Sequence, residues 1–107
     1  MSKKEVINIL RRYCNLLAVS GIPVEKAFLY GSYSRGTPTI ESDMDILIVS
    51  SVFDQLNDTA KAKAWRLTDE VDHRIEPYLI GMNRFLTDDI SPILQIVKKE
   101  GIEIKLT

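Results

Sequence analysis

Gly31-Ser32 closes the apolar run Ala27-Phe28-Leu29-Tyr30, and ten residues later Asp43-Met44-Asp45 opens the apolar run Ile46-Leu47-Ile48-Val49. Side chains two apart in a strand point to one face. Asp43 and Asp45 are therefore expected to project together. Paired carboxylates repel unless cations sit between them. Their oxygens suit hard Mg²⁺ or Mn²⁺ rather than zinc, and no His or Cys lies nearby in sequence. Glycine permits a tight or left-handed backbone after a strand. Serine, with the amides that follow at a helix start, forms an anion site. Together the two motifs read as a phosphate turn beside a divalent-metal site, an arrangement suited to nucleotidyl transfer.

Each motif has a plainer alternative. Gly31-Ser32 alone also describes an ordinary strand-to-loop turn. Ser42-Asp43 could be a turn and Asp45 a solvated edge residue. Aspartate is disfavoured in strands, however, and here two precede the most apolar run in the chain. Gly31 to Gly36 has P-loop spacing, but Thr37-Pro38 follows where that loop needs a lysine.

A two-metal centre needs a third acid, and Glu76 is the candidate. Pro77 follows it, removing a ladder donor and favouring a strand edge. Asp72, at the end of the preceding helix, competes for the role. A plain ion pair between Glu76 and Arg74 is the alternative use of that side chain. Asp69 and Glu70 read as helix surface. Arg35, three residues after Ser32, could reach outer phosphates, because guanidinium pairs well with phosphate oxygens, or it could be solvated. Tyr33 and Ser34 are expected to line the same turn. His73, the single histidine, reads as structural or surface. Trp65 lies just off the buried stripe of its helix, as core edge or partner contact.

The elements that must hold these residues follow from periodicity. Residues 3–19 place Val6, Ile9, Leu10, Tyr13 and Leu17 on one helical stripe. Cys14 lies on the same side, so it is expected to be a buried structural thiol. Gly21 and Pro23 end the helix. Residues 26–30 form a short buried strand. Residues 31–42 form turn and loop, with a helical turn after Ser32. Residues 43–50 form the second strand. Leu56, Ala60, Ala64, Leu67 and Val71 predict a helix capped by Asn57 or Asp58. Residues 74–80 form a strand ended by Gly81. Ser91-Pro92 opens a last helix that Gly101 ends. Ile102, Ile104 and Leu106 alternate with Glu103 and Lys105, predicting a closing half-exposed strand. Strands spaced by helices give an α/β (α+β) chain, a small mixed sheet with helices on one or both faces.

At 107 residues the chain is expected to be one domain, residues 1–107. It is 45% hydrophobic and 27% charged, a globular balance. A net charge of −1 with no basic run argues against a duplex-binding module. It allows a nucleoside triphosphate, whose charge bound metal can neutralise. One cysteine excludes an intramolecular disulfide. The N-terminus leads into an amphipathic helix and not a signal sequence, and no apolar run approaches the roughly 18 residues of a membrane span. The expectation is a soluble cytoplasmic protein.

Gly31-Ser32-x10-Asp43-x-Asp45, with Arg74-Ile75-Glu76-Pro77 about thirty residues on, resembles the DNA polymerase beta-type nucleotidyltransferases. Within them it is similar to the minimal nucleotidyltransferases of prokaryotes. The resemblance covers nearly the whole chain. It implies the polymerase beta-like fold, with Asp43, Asp45 and Glu76 converging on two Mg²⁺ ions. It implies that Gly31, Ser32 and the neighbouring amides hold the triphosphate of ATP. Such proteins often pair with a helical HEPN-domain RNase toxin as its antitoxin, some by transferring AMP to a tyrosine.

Three readings follow. In the first, the chain transfers a nucleoside monophosphate from its triphosphate to an acceptor hydroxyl. In the second, it masks a partner without catalysis, using nucleotide only as a structural ligand. In the third, it modifies a small molecule of the aminoglycoside type. The third lacks the second domain that antibiotic nucleotidyltransferases use to hold their acceptor. A small domain without an acceptor pocket invites a homodimer or a hetero-complex.

Overall fold

The computed structural model describes residues 1–36 and 43–106. The order is α1 (Lys3–Val19), β1 (Lys26–Tyr30), α2 (Ser32–Arg35), β2 (Met44–Val49), a 3-10 turn (Ser51–Asp54), α3 (Asp58–Thr68), β3 (Ile75–Ile80), α4 (Met82–Thr87), α5 (Pro92–Glu100) and β4 (Ile102–Glu103). The four strands form one sheet in the order β3-β2-β1-β4. β1 pairs antiparallel with β2 and β4, and β2 pairs parallel with β3. The sheet is therefore mixed, as expected, with helices on both faces.

Register sorts the side chains. Ala27 and Leu29 share a face with Met44, Ile46, Ile48 and Ile75, and this face packs against Val6, Leu10, Tyr13, Cys14 and Leu17 of α1 and Ala64 of α3. The Tyr13 hydroxyl donates to the Ala64 carbonyl at 2.7 Å, tying α1 to α3. Burial pushes the Cys14 thiol up to about 12, as for an inert structural cysteine. The opposite face carries Leu47, Val49 and Ile80 beneath Phe85 of α4 and Leu94 and Val97 of α5. Covered on both sides, β2 becomes a continuous apolar run from Ile46 to Val49, the pattern of a central strand. Asp45 stands immediately before it.

Met44 N–H donates to the Arg74 carbonyl and Ser50 N–H to the Ile80 carbonyl. In a parallel ladder this turns the even-numbered residues of β3 toward β2 and the odd-numbered ones outward. Pro77 thus sits on the edge strand where its missing N–H costs no ladder bond.

Several expectations are corrected. Leu56 lies before α3 and is 91% exposed, so it is no part of the helix stripe. The helix ends at Thr68, before Val71. Asn57 caps it, accepting from Ala60 N–H at 3.1 Å. The closing strand covers only Ile102–Glu103, although Ile104 is buried. The 3-10 turn and α4 were not expected. α4 has six residues and buries only Phe85, too short for periodicity to show. Its start is fixed from a distance, because Asp54 accepts from Asn83 N–H at 2.9 Å. The loop expected over 31–42 lies partly outside the described residues.

Candidate functional site

β1 ends at Tyr30 and Gly31 follows with φ +80 and ψ −151, a backbone that side-chain-bearing residues rarely adopt. The chain then enters α2 at Ser32. A Cβ placed on Gly31 would lie 2.3 Å from Asp45 Oδ2. The glycine therefore serves twice. It makes the turn, and its bare Cα lets the Asp45 carboxylate lie against the backbone. The amides that open α2 have no acceptor within their own helix. The expected phosphate turn and the Asp45 carboxylate are thus neighbours in space.

Tyr30, Asp45 and Glu76 occupy one row across the sheet. Tyr30 is the antiparallel register partner of Asp45, and Asp45 the parallel partner of Glu76. Asp43 lies one residue before β2 rather than inside it, and it is exposed. Its carboxylate nevertheless acts on both others. Asp45 is half-buried, and its pKa is pushed up to about 6 by desolvation, then by Glu76 and Asp43, while Arg35 opposes the shift. Glu76 is raised by desolvation, then by Asp43 through charge and a shared hydrogen bond. The sequence did not single out Tyr30. Its hydroxyl is held protonated, with its pKa raised to about 12 by burial and by Asp45, Glu76 and Tyr78. The signal available was its place directly before Gly31.

Arg35 is exposed on α2, within electrostatic reach of Asp45 and 4.0 Å from Glu100 Oε2 at the end of α5. Ser34 turns back, its hydroxyl donating to the Gly31 carbonyl at 2.9 Å. Tyr33 is buried in the core and so does not line the turn. Arg74 does not pair with Glu76. It binds Asp72 through both carboxylate oxygens, at 3.0 and 2.7 Å, and its backbone N–H donates to the same group at 2.9 Å. Asp72 is thereby occupied and held below the usual carboxylate range. Glu76 stays exposed beside Asp45. His73 is exposed.

Among the described residues, no three His, Cys, Asp or Glu side chains form a ready-made metal cage. The donor chemistry still fits hard cations. All three acids offer oxygen, and desolvation, then crowding of like charge, raises Asp45 and Glu76. A divalent ion among them would relieve that cost.

Among the described residues no helix is long and apolar enough to cross a membrane. No curated protein shows a significant sequence match. Solved structures do match. A Sulfolobus solfataricus protein classed as a nucleotidyltransferase is 15% identical, with TM-score 0.66 over 94% of this chain and 80% of that one. A toxin–antitoxin solved with AMP-PNP is 26% identical, with TM-score 0.60 over 91% of this chain and 73% of that one. The toxin–antitoxin MntA-HepT is 21% identical, with TM-score 0.52 over 91% and 70%. These likenesses support the fold read from the sheet order. A family model for the nucleotidyltransferase domain matches residues 6–103, nearly the entire chain. The chain belongs to the nucleotidyltransferase domain family.

Proposed function

We propose that residues 1–107 act as one minimal transferase, moving AMP from ATP to an acceptor hydroxyl, as the antitoxin of a HEPN-domain partner. The observation that carries the reading is the close approach of Asp45 to Gly31, which supports a metal-binding acid next to a turn that takes phosphate. The 26% identical toxin–antitoxin solved with AMP-PNP supports an adenine nucleotide and a toxin partner.

Gly31, Ser32 and the first amides of α2 hold the triphosphate, and Arg35 swings from Glu100 to its outer oxygens. Asp43, Asp45 and Glu76 would hold two Mg²⁺ or Mn²⁺ ions, which when bound supply charge neutralisation and polarise the reacting oxygens. Glu76, on the edge strand, is assigned to the metal nearer the acceptor hydroxyl. Glu76 is the acid assigned to take the proton of the attacking hydroxyl. Positioning and charge stabilisation provide most of the catalysis.

Label transfer from α-phosphate-labelled ATP with Mg²⁺, in lysate of the source cell, tests the reading. A labelled protein that appears with wild type and not with Asp43→Asn/Asp45→Asn is the expected result. A labelled small molecule favours the small-molecule transferase. No transfer, with a partner co-purifying with both versions, favours non-catalytic masking.

A further inference from the structure

The outer edge of β3 is lined by a cleft that the transfer reaction does not use. One part, about 360 Å³, is bounded by Phe53, Asp54, Ile80, Gly81 and Asn83. The other, about 310 Å³, is bounded by Trp65, Pro77 and Tyr78. Lys61, Leu79 and Arg84 line both, so the two form a continuous groove. It runs from Pro77, next to Glu76, along the strand to Gly81.

Three features describe its occupant. The first is backbone. In the β2–β3 ladder Pro77 and Leu79 turn outward, and among the described residues no strand pairs beyond β3. Among the described residues nothing hydrogen-bonds the Leu79 N–H, the Leu79 carbonyl or the Pro77 carbonyl. An extended peptide can therefore pair at Leu79. Pro77 limits that pairing to a short stretch, which protects the edge from indiscriminate strand addition. The second is charge. The part nearer Glu76 has Lys61 and Arg84 in its lining and no acid; Arg84 is already paired with Asp88 at 3.1 Å, so Lys61 is the cation left without a partner among the described residues. In the other part the one acid, Asp54, is engaged in capping α4. The third is Trp65, 49% exposed and one helical turn from Lys61 on the same face of α3. It offers a large apolar surface at the rim, as interface anchors do.

We propose that this groove docks an extended acidic segment of a partner protein by short strand addition at Leu79, with Trp65 packed over the segment and Lys61 facing its carboxylates. The proposal goes beyond the transfer reaction and does not depend on it.

Trp65 is the chain's single tryptophan, so its emission reports the groove alone. The probe is the blocked peptide acetyl-Glu-Val-Glu-Val-Glu-amide, titrated into the wild-type protein. Controls are the lysine counterpart, a version N-methylated at the central residue, and oligothymidylate. A saturable emission change with the acidic peptide is expected, lost with the lysine counterpart and weakened by N-methylation. Lys61→Glu should weaken it by about tenfold, and Lys61→Gln by less, with far-UV circular dichroism unchanged. The proposal is overturned by no saturable change, by equal response to the lysine peptide, or by undiminished binding in folded Lys61→Glu. Saturation with oligothymidylate and not with the peptide would instead make the groove a single-strand nucleic-acid site and also overturn it.

Discussion

Asp45 and Glu76 face each other as register partners on parallel strands, so their charges compete for the same space. That competition has a sign. The Asp45 pKa is raised to about 6, so the metal-free folded state binds its proton more tightly than the unfolded chain. Stability from this group is greatest at low pH and falls as pH rises through about 6. In EDTA, wild-type Tm should rise as pH falls from about 7.5 to about 5, relative to Asp45→Asn. Mg²⁺ near pH 7.5 should raise the wild-type Tm and leave the variant unmoved. A wild-type profile parallel to that of the variant would contradict the crowded-carboxylate site.

Gly31→Ala tests the double demand on the turn. The new methyl would meet Asp45 Oδ2 at 2.3 Å in a backbone that already disfavours side chains. A loss of about 2–3 kcal/mol is expected in urea unfolding, from strain and displacement together. Label transfer should vanish even where the variant remains folded. Wild-type transfer in a folded Gly31→Ala protein would detach the turn from the chemistry.

The identity of the third acid is decided by two conservative substitutions. Glu76→Gln should abolish transfer without lowering Tm. Asp72→Asn should leave transfer intact and cost about 1 kcal/mol, because Asp72 serves Arg74. The reverse pattern would make Asp72 the working carboxylate.

Gly81→Ala probes the helix that borrows its start from Asp54. A Cβ there would meet the Asp54 carboxylate and, at 2.7 Å, the Asp54 backbone, which cannot swing aside as the side chain could. A loss of about 2 kcal/mol or more is expected. Faster amide exchange should be confined first to Met82–Thr87 and its neighbours. Uniform exchange across the chain would show that α4 is not a separable unit.

Much was legible in the residues themselves. The stripe of α1, the Asn57 cap and the Ser91-Pro92 helix start are local devices, whose physics acts within one or two turns. The apolar run after Asp45 marked a strand, and it is there. Other features depend on residues far apart in the chain. α4 needed a cap from Asp54, some thirty residues away, so no local pattern announced it. The partner of Arg74 was undecided by spacing, since Asp72 and Glu76 are equidistant in sequence. The turn before β3 brought Asp72 to the guanidinium and left Glu76 facing Asp45. Sequence determined which residue types could bind phosphate and metal. Only the sheet order and register decided which of them share a row, because neighbours across strands are set by pairing and not by chain distance.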